Sequence, residues 1–304
     1  MTPPLRLVVA INPTASFGKG RDVGPAVVQT LRALGHDVTS LQEPDFEQLQ
    51  EAGRKAVATK PDALIVVGGD GMVNLGTNLV AGTEVALGIV PSGTGNDMAR
   101  VLGIPHRNTA AAIDLLLRQL QLPARVIDAG LIHRADGGET WYACMVSAGF
   151  DAVVNERANR MTWPKGPMRY NLALLYELLG LKPIRYTLTL DGDVTSVEGM
   201  LISVGNGVSL GGGMLVTPDA EVDDGLLDVL VVERLTRLQF LRIFPRVFKG
   251  EHLTDPRVTV YRVRSIGIAA EGVAAYADGE RVGPLPVTIE VQPGALRVLA
   301  PAAS

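Results

Sequence analysis

Apolar and polar positions along the first 120 residues repeat in two periods, one suited to strands and one to helices. Leu5–Ile11 is an apolar run that stops at Asn12-Pro13, the pattern of a strand ending in a turn. Val23, Val27, Leu31 and Leu34 follow a helical spacing that Gly35 closes as a C-cap. Asp37–Leu41 predicts a second strand and Phe46–Thr59 a second helix, with Pro61 just beyond its end. Ala63–Val67 is apolar at every position, as in a strand covered on both faces. A helix over Val73–Ala81, a strand over Ala86–Val90, a helix starting at Asp97–Leu102 and another over Ala110–Leu120 complete the series. Strand, helix, strand in succession means right-handed crossovers and a mostly parallel sheet.

The pattern changes near Val126. Strand-like runs dominate from there: Val126–Ile132, Thr140–Ser147, Tyr186–Leu190, Gly199–Val204, Leu226–Val232, Arg257–Val263, Ser265–Ala270 and Val287–Val291. Gly- and Asp-rich turns separate them, among them Asp191-Gly192-Asp193 and Gly211-Gly212-Gly213. Helical inserts are expected over Tyr170–Leu181 and Thr236–Phe248. The second part reads as a mainly antiparallel β domain. The expected division is a nucleotide-binding α/β domain over 1–126, a β-sandwich lipid-substrate domain over 127–292, and a tail over 293–304.

Composition narrows the partners. With 304 residues, 47% hydrophobic and 20% charged, the chain can bury one large core or two smaller ones. A net charge of -4 argues against a nucleic-acid binder. The single cysteine, Cys144, lies in an apolar run and reads as a core thiol, compatible with a reducing cytoplasm. The longest apolar stretches fall well short of the roughly 20 residues that span a bilayer. The histidines His36, His106, His133 and His252 show no ligand spacing.

The strongest chemical signal is Gly68-Gly69-Asp70-Gly71, directly after the buried strand. Glycines there let backbone N–H groups approach an anion, and the following helix points its positive end at the same place. A carboxylate beside phosphates needs a cation, and Mg²⁺ is the natural one. A tight turn with a capping aspartate is the plainer alternative. The next strand ends in a second such loop, Gly93-Thr94-Gly95-Asn96-Asp97, and the first ends in Asn12-Pro13-Thr14-Ala15-Ser16, with Lys19 and Arg21 available for phosphate. Three loops at one edge of a parallel sheet make a cradle for polyphosphate. No G-x-x-x-x-G-K-[ST] is present, and Met98 occupies the third position that G-x-G-x-x-G would require.

Taken in order, Asn12-Pro13-Thr14, Gly68–Gly71 with Asn74, Gly93–Asp97, Val204-Gly205-Asn206-Gly207, Pro218-Asp219-Ala220, Asp223–Asp228 and Asp278-Gly279-Glu280 resemble the diacylglycerol kinase catalytic family, which includes bacterial lipid kinases and sphingosine kinases. The resemblance implies an α/β nucleotide domain, a C-terminal β-sandwich, an active site in the cleft between them, and a final segment packing back on the first domain. It implies ATP and Mg²⁺ as cofactors and a lipid alcohol, diacylglycerol first, as acceptor. ATP-binding positions carried over are Asn12, Pro13, Thr14, Ala15, Ser16, Gly68, Gly69, Asp70, Gly71, Met72, Val73, Asn74, Leu75, Gly93, Thr94, Gly95 and Asn96. Asp70 and Asp97 match essential acidic positions near the phosphates. Asp278 and Glu280 match the late acidic pair, with Glu280 favoured as the base that deprotonates the hydroxyl and Asp278 supporting it or positioning metal and water. For Asp278-Gly279 the plainer alternative is a hairpin turn. A structural Mg²⁺ maps to Asp224 with the backbone oxygens of Glu221 and Leu226; a solvated acidic turn is the alternative. Met72 and Leu75 replace the family's usual threonine and glutamate.

Membrane contact is expected to be peripheral, at the inner face of the cell membrane. Arg234, Arg237, Arg242, Arg246 and Lys249 interleave with Leu238, Phe240, Leu241, Ile243, Phe244 and Phe248, and Trp163, Lys165, Met168 and Arg169 form a second candidate. Solvated helix faces are the alternative for both. Rival functions are a kinase for a sphingoid base or phosphatidylglycerol, an NAD kinase, or a nucleotide-binding regulator without catalysis. Oligomeric state, a homodimer included, is not legible.

Overall fold

The computed structural model describes residues 3–12, 22–149 and 182–302. Between the last two stretches it also describes Val154, Arg157, Met161, Trp163, Leu172, Ala173, Tyr176, Glu177 and Gly180. The helix expected over 170–181 lies largely outside the described residues, as do Lys165, Met168 and Arg169. Two compact units are distinguished, residues 1–128 with 293–304, and residues 129–292.

In the first unit, strands β1 (Arg6–Ile11), β2 (Asp37–Leu41), β3 (Ala63–Gly68) and β4 (Ala86–Pro91) pair in parallel in the order β2-β1-β3-β4. Helices α1 (Val23–Ala33), α2 (Phe46–Ala58), α3 (Asp70–Val80), α4 (Asp97–Val101) and α5 (Thr109–Gln119) make the crossovers. Every residue of β3 and β4 is buried, as continuous apolar runs require. On one sheet face Leu7, Val9, Ile65 and Val67 pack against Val27, Val28 and Leu31 of α1 and Leu116 of α5. On the other, Gly76 lets α3 lie close: a Cβ there would sit 2.6 Å from Leu87 Cδ1 and 2.9 Å from Val66 Cγ1. The last residues of the chain join this sheet, with Val298 in register with Leu87 and Leu299 N–H donating to the Leu87 carbonyl.

The second unit is an antiparallel β-sandwich. Its strands are β5 (Arg125–Arg134, which begins in the first unit), β6 (Glu139–Tyr142), β7 (Met145–Gly149), β8 (Ile184–Leu190), β9 (Asp193–Gly205), the short β10 (Ser209–Leu210) and β11 (Met214–Leu215), β12 (Leu227–Glu233), β13 (Val258–Val263), β14 (Ser265–Ala269), β15 (Ala274–Ala277), β16 (Glu280–Pro284) and β17 (Val287–Val298, which ends in the first unit). Alternation along β12 divides its side chains between two cores. Leu227, Val229 and Val231 face one that they share with Ile202, Val204, Ile266 and Ile289. Leu230 and Val232 face the other, closed by Phe240 and Ile243.

Three expectations are corrected. Helix α3 starts at Asp70 rather than Val73, because Gly69 is its N-cap and the N–H groups of Met72 and Val73 already bond to the Gly69 carbonyl. The run 140–147 is two strands with a break at Ala143-Cys144, whose N–H groups turn to a side-chain carboxylate instead of a neighbouring strand. The helix expected to reach Phe248 ends at Ile243 and continues as a 3₁₀ segment, Phe244–Lys249. Pro245, with no N–H to continue the α pattern, sits at the start of that segment.

Candidate active site

In the first unit, β1, β3 and β4 are neighbours in register, Ile11 beside Val67 and Gly68 beside Pro91. Their outgoing loops therefore leave the same edge of the sheet. Asn12 is half-buried with its N–H on the Val67 carbonyl. Pro13, Thr14, Ala15, Ser16, Lys19 and Arg21 lie outside the described residues.

The second and third loops touch. A Cβ on Gly93 would sit 2.4 Å from the Gly69 Cα, so only glycine permits this approach. Asp70 ties the loops together: one carboxylate oxygen accepts from the Asn96 N–H at 2.9 Å and the other from the Asp97 N–H at 2.7 Å. A Cβ on Gly95 would fall 2.3 Å from Asp70 Oδ2. Asn96 adopts the left-handed conformation, φ 54 and ψ 44. Its side chain accepts from the Gly93 N–H and donates to the Gly93 and His106 carbonyls, which holds the turn in that conformation. Asp97 is buried, 2.7 Å from Arg100 Nη1, and Arg100 also donates to the Gly95 carbonyl. Gly93 and Thr94 are exposed at the crest of the loop. Met72, Val73 and Leu75 have buried side chains, because the helix starting at Asp70 turns them to the sheet. Asn74 is buried too, and its Nδ2 makes no hydrogen bond among the described residues.

In the second unit, β15 and β16 form a hairpin at Asp278-Gly279, the turn that the sequence offered as the plainer alternative, with Asp278 (φ 48) and Gly279 (φ 89) as its two residues. Both central residues with positive φ define a type I′ turn, which matches the twist of the flanking strands. The Asp278 carboxylate points inward and accepts three N–H bonds, from Ala143 (2.9 Å), Cys144 (3.0 Å) and Met145 (2.9 Å). Glu280 follows opposite Ala277 with its side chain exposed. Burial first, then the Asp278 charge, push the Tyr142 phenol well above its ordinary pKa, so it stays neutral. The break at Ala143-Cys144 was not legible: its cause, a carboxylate 135 positions later, has no local trace.

Asp224 accepts from the Leu226 N–H at 2.9 Å and is ion-paired with Arg262. Buried Asp228 lies 3.8 Å from the same guanidinium. Its pKa is raised to about 6, chiefly by burial, with Arg262 opposing and Asp224, Asp219 and Glu221 adding to the rise. The donors here are all oxygen and negative charge is in excess, which fits a hard divalent cation, although Arg262 already occupies one side of Asp224. Among the described residues, no group of three or more His, Cys, Asp or Glu side chains converges on one point.

Beside the second core lies an apolar cavity of about 670 Å³, counted out to its open mouth. Leu201, Leu230, Val232 and Val258 form its sheet side, and Phe240, Ile243, Phe244 and Val247 its helical side. Among the described residues of its lining, the polar ones are Ser203 and His252. His252 is buried with Nε2 3.0 Å from the Val216 carbonyl, and burial lowers its pKa. On the outside of the same helical segment Leu238, Leu241 and Phe248 are exposed among Arg237, Arg242 and Lys249. Among the described residues no helix is long and apolar enough to cross a membrane.

Comparison with known proteins places this architecture. Residues 6–129 match the diacylglycerol kinase catalytic domain, and residues 144–300 match the YegS C-terminal NAD kinase beta sandwich-like domain. A diacylglycerol kinase of Mycobacterium tuberculosis is 38% identical over 297 residues, covering 97% of this chain and 95% of that protein. One of Bacillus subtilis is 26% identical over 284 residues, covering 92% and 91%. The crystal structure of a diacylglycerol kinase from Bacillus anthracis superposes with a TM-score of 0.74 over 99% of this chain and 98% of that one, at 24% identity, a likeness of fold. The chain belongs to the diacylglycerol kinase catalytic family and is an ATP-dependent lipid kinase.

Proposed function

We propose that this kinase transfers the γ-phosphate of ATP to the free hydroxyl of diacylglycerol, giving phosphatidic acid. The observation that carries the acceptor class is the cavity of the second unit, whose lining among the described residues is apolar apart from Ser203 and His252. Such a cavity suits hydrocarbon chains and offers nothing to a dinucleotide's charges, which weighs against NAD as acceptor. The matched relatives named diacylglycerol kinases support diacylglycerol among lipid acceptors.

The nucleotide falls to the loops of the first unit, Asn12–Ser16, Gly68–Leu75 and Gly93–Asn96. There Asp70 is assigned to preorganising the Gly93–Asp97 loop and Asp97 to orienting Arg100, so that backbone N–H groups meet phosphate in a fixed geometry. Glu280, exposed at the head of β16, takes the proton of the attacking hydroxyl, and the Asp278 turn presents it. Mg²⁺, accompanying ATP, supplies neutralisation of charge on the phosphoryl oxygens. A second Mg²⁺ is assigned to Asp224 with the backbone oxygens of Glu221 and Leu226. The acceptor is met at a membrane surface through the segment Arg237–Lys249, on the cytoplasmic side.

Incubation with labelled ATP and Mg²⁺ against diacylglycerol, sphingosine, phosphatidylglycerol and NAD tests the acceptor. Label in phosphatidic acid is expected. Label in NAD alone would overturn the proposal, and ATP binding with no labelled acceptor would leave only a regulatory role.

A further inference from the structure

Asp278 sits two residues before the proposed base, yet its carboxylate has little left to offer a substrate. One oxygen accepts from Cys144 N–H and Met145 N–H, the other from Ala143 N–H. The carbonyl side of the same short turn is held as firmly from a different part of the chain. Asn206 donates its side-chain Nδ2–H to the Ala143 carbonyl at 2.8 Å, and the N–H groups of Asn206 and Gly207 both reach the Cys144 carbonyl at 2.9 Å. The turn 143–145 is thus clamped between a carboxylate on its N–H side and an asparagine on its C=O side. Asn206 is fully buried and Asp278 nearly so. The Asp278 N–H returns a bond to the Met145 carbonyl at 2.9 Å, so hairpin and turn are locked in register.

A hairpin tip carrying an exposed glutamate would ordinarily be free to shift by an ångström or more. Here the tip is pinned through charge-assisted bonds to a buried backbone turn, and that turn is pinned again by Asn206. We propose that Asp278 and Asn206 are positioning residues, which act on the reaction through the intervening turn Ala143–Met145 by fixing where Glu280 stands. This gives the Val204-Gly205-Asn206-Gly207 segment a task in the chemistry. The inference rests on the reading of Glu280 as base, and the experiment separates the two.

Steady-state kinetics on the full chain with ATP, Mg²⁺ and dispersed diacylglycerol would compare Glu280→Gln, Asp278→Asn, Asn206→Ala and the double variant Asp278→Asn/Glu280→Gln, each first checked for a cooperative melt. Asp278→Asn is expected to lower kcat on the order of 10²-fold with the KM for ATP within about twofold, the cost of a displaced catalytic group. Asn206→Ala, which removes one donor and leaves the backbone bonds in place, is expected to lower kcat about tenfold with the same split, and serves if the first variant does not fold. On the Glu280→Gln background, Asp278→Asn should cost nothing further. Wild-type kcat in both positioning variants, a rise in the KM for ATP in place of a loss of kcat, or losses that simply multiply would each overturn the inference while leaving the base assigned. Wild-type kcat in Glu280→Gln would instead remove the base, and the positioning role with it.

Discussion

Asp70 makes contacts that a local reading of its glycine loop does not supply. A carboxylate flanked by glycines at a strand end resembles a cation-bridged phosphate ligand, but both its oxygens are taken by the N–H groups of Asn96 and Asp97. Asp70→Ala should therefore loosen the neighbouring loop as well as the nucleotide. We expect about 2 kcal/mol of lost stability from two charge-assisted bonds, together with at least a tenfold weaker ATP affinity, by calorimetric melting and ATP titration. Unchanged melting with weakened ATP binding would return Asp70 to a purely ligand-facing role. Gly93→Ala should damage binding as badly without removing any polar group, because its Cβ would meet the Gly69 backbone and crowd Asn96 Oδ1. His252 supplies a pH dependence. Its folded pKa is lowered while the unfolded value stays near 6.5, so the unfolded state binds the proton more readily. Stability contributed by the neutral imidazole is complete above that pH and falls as pH drops below it. Urea unfolding between pH 7.5 and 5.5 should show this decline, and His252→Gln should flatten it.

At the scale of elements, the segment Arg237–Lys249 separates two tasks that composition alone leaves mixed. Its inner residues, Phe240 and Ile243, are core and cavity wall, whereas Leu238, Leu241 and Phe248 are exposed. A capping box of Thr236 with Gln239 starts the helix, so the helix does not depend on its outer face for stability. Leu238→Ser with Leu241→Ser should leave the melting temperature within about 2 °C and cut sedimentation with anionic vesicles several-fold, consistent with the small effect of exposed substitutions on stability. Equal sedimentation of variant and parent would assign this face to solvent. Phe240→Ala should behave oppositely, costing about 3 kcal/mol of stability.

For the whole molecule, the parallel sheet is completed by residues nearly three hundred positions from its first strand. Leu296, Val298, Leu299 and Ala300 are buried within the first unit. At roughly 1.5–3 kcal/mol for each large side chain, their loss rivals the stability of an ordinary domain. Residues 1–128 alone should melt without cooperativity, and the same residues linked to 293–302 should regain a cooperative transition in calorimetry; cooperative melting of the short form would show that the tail is dispensable. The alternating strands and helices of the first 120 residues, the strand-rich second part and the glycine loops were legible from periodicity and turn chemistry, because each depends on residues close in sequence. The start of α3 and the split at Ala143-Cys144 were not. Local order in the chain thus determined which segments become strands, helices and glycine loops, since side-chain period and glycine's freedom act over a few residues. Only the tertiary structure decided what each carboxylate holds, because Asp70 and Asp278 take donors 26 to 135 positions away, chosen by how the strands pair.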